Sequence, residues 1–324
     1  MSEILLKAVD LKKHYAVRSG VLSNIKGYVR AVDGISLTIN KGETFGLVGE
    51  SGCGKSTLGR LLLRLIEPTS GECIINDENI YNLKEEQLRK LRRDIQIVFQ
   101  DPYASLNPKM TIGKAIGEPL KIYNIVPDGK EREEKVKELL DTVGLSRDHY
   151  GRFPHEFSGG QRQRICIARA LALKPKLIVC DEAVSALDVS VRSQILNLLK
   201  DLQKEFNLTY IFISHDLSVI KYICDRIGVM YLGKIVETAL AADLFKNPSH
   251  PYTKALLSAI PEPNPKKIKD RIILKGDVPN PINPPEGCTF HPRCSYACEK
   301  CKIDVPDLGQ VSGGHYASCH LINE

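Results

Sequence analysis

Nowhere does this 324-residue sequence carry a long unbroken apolar run. A helix needs roughly 20 consecutive apolar residues to span a bilayer, and the buried-looking stretches here, such as 177–180, are strand-sized. The chain is therefore expected to cross no membrane itself. The opening MSEILLKAVDL lacks a basic region followed by an apolar stretch, so no secretion signal is read there and the expected location is the cytoplasm. A strong excess of one charge sign is also missing. The net charge of +6 comes from 45 basic residues scattered among 39 acidic ones, which reads as solvated surface charge and not as a nucleic-acid footprint. No internal repeat occurs, and the glycine-rich turn described below appears once.

What is present is an ordinary soluble balance, 43% hydrophobic and 26% charged. The length suits one large domain with an appendage, or two domains. Of the ten cysteines, Cys53, Cys73, Cys166, Cys180 and Cys224 are spread mostly among apolar neighbours and read as small core residues or incidental thiols. The other five crowd into positions 288–319.

Hydrophobic patterning predicts strands through the first ~100 residues, including 35–39, 44–48 and 73–75. A leucine-rich helix is expected over 57–66, stopped by Pro68 and Gly71. Further helices are expected over 131–143, 161–173 and 190–206, with buried strands at 176–180 and 209–213. Helices alternating with buried strands imply a parallel sheet covered on both faces. After about residue 260 the texture changes: prolines stand at 261, 263, 265, 279, 281, 284 and 285, as in a linker with little core of its own. The tail from Gly287 is expected to be short and loop-like.

Residues 49–57 read GESGCGKST, the G-x-x-x-x-G-K-[ST] pattern between an expected strand and an expected helix. That context separates it from a chance glycine-rich turn. Gly49, Gly52 and Gly54 let the backbone curl so that the N–H groups of Glu50, Ser51, Cys53 and their neighbours can point at phosphate oxygens. The helix through Thr57 aims its positive end at the same anion. Lys55 is suited to neutralise the β- and γ-phosphates, and the Ser56 hydroxyl to ligate Mg²⁺. A second segment, LIVCDE at 177–182, is an apolar strand ending in Asp181, which can hold Mg²⁺, and Glu182, which can orient or deprotonate a water. Alone, a strand ending in two acids is an ordinary sheet edge; its weight comes from the phosphate loop in the same chain.

At 157–164 the sequence FSGGQRQR places Ser158, Gly159, Gly160 and Gln161 at a helix start, a second anion-facing end. An ordinary capped helix with a flexible lead-in would look the same. The segment resembles the signature motif of ABC-type ATPases, however, and other motifs of that family follow in order. Gln100 in VFQDP resembles the glutamine loop that senses the γ-phosphate and Mg²⁺. SALD at 185–188 resembles the loop joining two ATPase subunits, and His215 in FISHDL the switch histidine. Tyr15 is the best candidate for the aromatic that stacks on adenine. The resemblance implies a P-loop ABC ATPase core: a mostly parallel sheet with flanking helices and an antiparallel β portion, spanning 1–260 with an inserted helical subdomain at about 101–160. It implies two such domains facing head to tail, so that Ser158 and Gly160 serve the partner's ATP while Lys55, Ser56, Gln100, Asp181, Glu182 and His215 serve the local one. Phe157 departs from the family's usual leucine.

The resemblance narrows to the ATPase subunits of dipeptide and oligopeptide importers, a branch that includes nickel importers. GESGCGKST, QDPYASLNP, DEAVSALDVSVRSQILNLL and NPSHPYTKALLSAIP carry it. In the last of these, Pro251 also reads as the first residue of a helix packing on the core. The branch implies a second ATPase subunit, usually a different chain, two transmembrane permease subunits, an extracytoplasmic solute-binding protein, and a peripheral place on the cytoplasmic face of the membrane. Residues 261–324 are expected to form a linker and a metal-binding C-terminal extension. There Cys288, Cys294, Cys301 and Cys319 match the branch's pattern, which implies a [4Fe–4S] cluster; four thiolates on a short segment also suit Zn²⁺, the alternative, with unligated thiols third, and Cys298 could compete. A soluble ABC protein without membrane partner, a P-loop kinase or GTPase, and a metal or redox sensor are the other classes. The first usually has two nucleotide modules or a long coiled-coil insertion, and the second lacks FSGGQ and the switch histidine.

Overall fold

The computed structural model describes residues 3–19, 24–261 and 271–322. In chain order its strands are β1 (Ile4–Ser19), β2 (Asn24–Asn40), β3 (Thr44–Val48), β4 (Ser70–Ile75), β5 (Glu78–Asn79), β6 (Ile95–Val98), β7 (Leu177–Asp181), β8 (Thr209–Ile213), β9 (Arg226–Tyr231), β10 (Lys234–Leu240), β11 (Gly309–Ser312) and β12 (His315–Ala317). The helices are α1 (Lys55–Leu62), α2 (Glu85–Asp94), α3 (Pro102–Ser105), α4 (Ile112–Ile122), α5 (Gly129–Thr142), α6 (Gly159–Leu171), α7 (Val189–Phe206), α8 (Leu217–Ile223), α9 (Ala241–Lys246), α10 (Pro251–Ser258) and α11 (Glu299–Ile303). Among the described residues no helix is long and apolar enough to cross a membrane.

The chain divides into two compact units, 1–82 with 213–324, and 83–212. The first holds an antiparallel sheet in the order β2-β1-β4-β5. Leu6, Leu11, Val32, Ile35 and Ile39 bury one end of its long β1–β2 hairpin. At the other end Tyr15, Ile25 and Tyr28 are exposed. A second sheet runs β11-β12-β10-β9-β3, with β3 parallel to β9 and the remaining pairs antiparallel. All five residues of β3 are buried, as expected for a strand covered on both faces.

The second unit carries β6, β7 and β8, with β6 and β7 parallel. Every residue of β7 and β8 is buried. Between β6 and β7 the chain forms only helices and turns. Helix α5 shows how its sequence folds: Asp128 caps it by accepting from the N–H groups of Lys130 and Glu131. Val136, Leu139, Leu140 and Val143 recur at helical spacing and are buried. Helix α7 is capped by Asp188 and ends at Asn207, whose φ of 50° is left-handed.

Three expectations are corrected. The strand-rich reading of the first ~100 residues missed α2, because its ten residues include just two apolar side chains, Leu88 and Leu91, and only Leu88 is buried. Its signal is Glu85 and Glu86 in the first turn and Arg92 and Arg93 in the last. The helix expected over 57–66 ends at Leu62, where Arg64 turns left-handed at φ 47°. The tail is more than loops: it forms α11 and the β11–β12 hairpin, and β12 pairs with β10 through Glu237 and Ala317. Pro263 and Pro265 of the expected linker lie outside the described residues.

Candidate nucleotide-binding site

In the first unit, buried β3 delivers the chain into the loop 49–54, and α1 begins at Lys55. The loop is pressed between two strands. A Cβ on Gly49 would lie 2.1 Å from the Met230 carbonyl oxygen, and one on Gly54 would lie 1.9 Å from that of Ala31. Gly52 and Gly54 have φ of 78° and 107°, conformations that side chains rarely adopt. Gly54 precedes α1 without contributing a side-chain cap, which suits a helix start meant for an anion. The Gly233 amide donates to the Cys53 carbonyl at 3.0 Å and fixes the loop's far side.

Lys55 is buried. Its ammonium donates to the carbonyl oxygens of Gly49 and Glu50, both at 2.9 Å, so the cation is folded over its own loop. Burial pushes the Cys53 thiol up despite the ammonium 3.7 Å away. Ser51 is exposed, while Ser56 and Thr57 are half-buried on the first turn of α1. The Glu50 amide donates to the Tyr252 hydroxyl at 2.9 Å. Arg293 of the tail donates twice to the Glu50 carboxylate, at 2.8 and 3.1 Å.

His215 is exposed. Its neighbour Ser214 donates from its amide to the Leu47 carbonyl of β3 at 3.2 Å, and Asp216 caps α8. The histidine therefore leaves the chain beside the strand that feeds the phosphate loop. Tyr15 is 41% exposed, with the Lys13 ammonium 5.0 Å from its ring centre. Tyr28 is also exposed, but pairing Tyr15 with Val29 and Ala16 with Tyr28 puts the two rings on opposite faces of the hairpin.

In the second unit, Val98 pairs with Cys180 in the parallel β6–β7 register. Two residues beyond each stand Gln100 and Glu182. The register brings them together: the Gln100 amide donates to the Glu182 carboxylate at 3.0 Å. Asp181 ends β7 and is 6% exposed. Glu182 follows with a left-handed φ of 50°, a strain that clusters at functional positions. Its carbonyl is held by the Ser185 hydroxyl at 2.9 Å.

Ser158 caps α6 in a reciprocal pair: its hydroxyl accepts from the Gln161 amide, and the Gln161 side chain accepts from the Ser158 amide. Gly160 abuts Val191 on α7, where a Cβ would lie 2.3 Å from that side chain. The SALD segment runs directly into α7 through the Asp188 cap. Phe157 is buried edge-on against His149 at 5.1 Å, so the aromatic fills an apolar position as the usual leucine would.

The expected metal-binding extension is not reproduced. Among the described residues no three His, Cys, Asp or Glu side chains converge into a metal-holding group. Cys288, Cys294, Cys301 and Cys319 are electrostatic neighbours, and the sulfurs of Cys298 and Cys301 lie 3.4 Å apart. Burial raises the Cys288 thiol to about 11 and also raises Cys294, Cys301 and Cys319. Hydrogen bonds from backbone N–H groups lower Cys298, the exposed member.

Sequence reasoning missed the contacts of Tyr252 and Arg293 with Glu50. Tyr252 lay within NPSHPYTKALLSAIP, where a helix packing on the core was legible. Nothing around Arg293 signalled its role.

Comparison with known proteins agrees with this architecture. The ABC transporter family matches residues 32–185. A second family, the C-terminal region of oligopeptide/dipeptide transporters, matches residues 236–301. The oligopeptide transport ATP-binding protein AppF of Bacillus subtilis (strain 168) is 53% identical over 98% of both chains. The dipeptide transport ATP-binding protein DppF of Haemophilus influenzae (strain ATCC 51907 / DSM 11121 / KW20 / Rd) is 52% identical over 98% of this chain and 97% of its own. Among solved structures, a dimeric ATP-binding cassette in a post-hydrolysis state bound to ADP and Pi is 32% identical, with a TM-score of 0.65 over 73% of this chain and 98% of that one. The chain belongs to the ATP-binding proteins of ABC transporters, in their oligopeptide and dipeptide branch.

Proposed function

We propose that this chain is the ATP-hydrolysing subunit that powers peptide uptake by an ABC importer, working head to tail with a second ATPase subunit and two membrane permeases. The observation that carries the reading is a complete phosphate loop together with the Gln100–Glu182 pair, in a chain about half identical to peptide-transport ATPases over its whole length. Residues 1–260 are assigned to the nucleotide-binding part, with the helical insertion at about 101–160, and 261–324 to the appended tail.

The residues then divide the work. Lys55, released from the Gly49 and Glu50 carbonyls, neutralises the β- and γ-phosphates, and the amides of 50–57 cradle them. Ser56, Gln100 and Asp181 would hold Mg²⁺, which would supply charge neutralisation on the phosphates. Glu182 orients or deprotonates water, with Gln100 steadying its carboxylate. His215 contacts the γ-phosphate, Tyr15 stacks on adenine, and Ser158 with Gly159, Gly160 and Gln161 faces the partner subunit's nucleotide. The fit of an anion at the loop rests on the uncapped start of α1 and the buried ammonium beside it.

The tail's four cysteines at 288, 294, 301 and 319 are assigned to a [4Fe–4S] cluster, with Zn²⁺ as the alternative. Their sequence pattern and mutual electrostatic proximity support this, and the lack of a converged donor group counts against it. Anaerobic preparation followed by iron, sulfide and zinc analysis tests the assignment, with Cys301→Ser as the control. Absence of all three overturns it.

The activity is tested by ATP hydrolysis of the full chain with its co-expressed transporter partners. Lys55→Ala should lose hydrolysis and ATP binding, and Glu182→Gln should lose hydrolysis while retaining ATP and a closed dimer. Hydrolysis without co-purifying membrane subunits would point to a soluble ABC ATPase. Stimulation by a nickel-loaded binding protein and not by a peptide-loaded one would move the cargo from peptide to nickel.

A further inference from the structure

The residue after Gly49 in the phosphate loop is an acid, Glu50. A carboxylate at the mouth of a site for a highly charged nucleotide repels its ligand unless its charge is cancelled. The structure shows what cancels it. Arg293 belongs to a single turn, His291–Arg293, between Cys288 and Cys294. Its guanidinium grips both Glu50 carboxylate oxygens, at 2.8 and 3.1 Å. The two side chains are 9% and 27% exposed, a setting where a two-pronged charge pair is screened far less than at the surface.

The turn is anchored by packing. Phe290 is 1% exposed, and its ring sits 5.2 Å from Tyr231 and 5.4 Å from Tyr252. Tyr231 ends β9, and Tyr252 opens α10 and accepts from the Glu50 amide. Arg293 in turn donates from its amide to the Phe290 carbonyl at 3.0 Å. Glu50 is thus held at three points: its amide by Tyr252, its carbonyl by Lys55, and its carboxylate by Arg293.

We propose that Arg293 is a positioning residue for ATP binding: the C-terminal tail reaches back to the phosphate loop and neutralises Glu50, so that this carboxylate does not repel the nucleotide. The proposal rests on the ATPase reading above and adds to it a role for the tail that needs no metal. Arg293 acts through Glu50, the residue that its guanidinium contacts. Any event that displaces the tail turn therefore changes ATP affinity.

The test compares wild type, Arg293→Ala, Arg293→Lys, Glu50→Gln and the double variant Arg293→Ala/Glu50→Gln in the full chain. ATP dissociation constants, KM and kcat are measured at low and high salt, with thermal unfolding as a fold control. Arg293→Ala should weaken ATP binding by roughly tenfold at low salt. The deficit should shrink at high salt, because the unmasked repulsion is screened. KM should move more than kcat. Arg293→Lys should recover much of the affinity, and the double variant should return to within roughly threefold of wild type, since it removes the unpaired anion.

A wild-type ATP affinity and salt dependence in Arg293→Ala would overturn the proposal, as would a double variant as weak as the single one. If Arg293→Ala does not fold, Glu50→Gln carries the comparison alone. It should bind ATP more tightly than wild type, and equal or weaker binding sinks the idea. A wild type that neither binds nor hydrolyses ATP would instead refute the ATPase reading.

Discussion

Gly52 and Gly54 stand two residues apart in the phosphate loop, and the structure predicts very different outcomes for the same substitution. Both have positive φ, and an alanine held in the left-handed region is strained by about 1–2 kcal/mol. Around Gly52 there is nothing within 4 Å of a new Cβ, so that strain is the whole effect. Around Gly54 the methyl would lie 1.9 Å from the Ala31 carbonyl oxygen and 2.8 Å from the Met230 side chain. The first of these is backbone of β2 and cannot swing aside. Overpacking adds about 1–3 kcal/mol, for a total of roughly 2–5 kcal/mol at Gly54. Thermal unfolding should show a Tm lower by about 3–7 °C for Gly54→Ala and by about 1–3 °C for Gly52→Ala. ATP affinity, measured by titration calorimetry, should follow the same order. Equal losses in the two variants, or a larger loss at Gly52, would refute the steric argument.

Other substitutions test other parts of the molecule. Glu237 is fully buried and accepts from the amides of Ser249 and His250 and from the His315 ring at 2.7 Å. Glu237→Ala strands three donors and should destabilise the chain by about 3–5 kcal/mol in urea unfolding; a loss below about 1 kcal/mol contradicts the network. His250 is buried, and desolvation with the nearby Lys254 charge lowers its pKa from 6.5 to about 4. The unfolded chain thus binds a proton that the folded one refuses between those values. Stability should fall by about 3 kcal/mol as pH drops from 6.5 to 4. His250→Asn, which keeps a capping acceptor for α10, should flatten that slope, and an unchanged slope would reject the assignment. In the signature segment, Gly160→Ala should destabilise by about 1–3 kcal/mol because its Cβ meets Val191 at 2.3 Å, while Gly159→Ala, 3.7 Å from Leu187, should be tolerated. Reversed sensitivities in chemical denaturation would contradict that packing.

Much was legible before any coordinates, and for local reasons. The strand–loop–helix at 44–62 announces itself because glycine, lysine and serine at fixed spacing have few other uses. Strands such as β7 open on a continuous apolar run, 177–180, and α5 repeats its buried residues at helical spacing. Ser158 and Gln161 carry their capping pattern in four letters. These features rest on contacts within a few residues, which is the range that sequence patterns record.

The tertiary structure decided what distance hides. Gln100 and Glu182 meet across 82 residues because two parallel strands share a register, a pairing that neither motif encodes. Helix α2 has just two apolar residues, Leu88 and Leu91, and buries only the first, so its sequence reads as surface. The tail looked like a free cysteine-rich loop, yet Ala317 pairs with Glu237 in a sheet, and Arg293 reaches a carboxylate 243 positions away. Motif spacing by itself determined which chemistry the chain can perform. Which side chains hold the phosphate loop in place followed only from long-range packing, where Phe290 and Tyr252 bring the end of the chain back to its beginning.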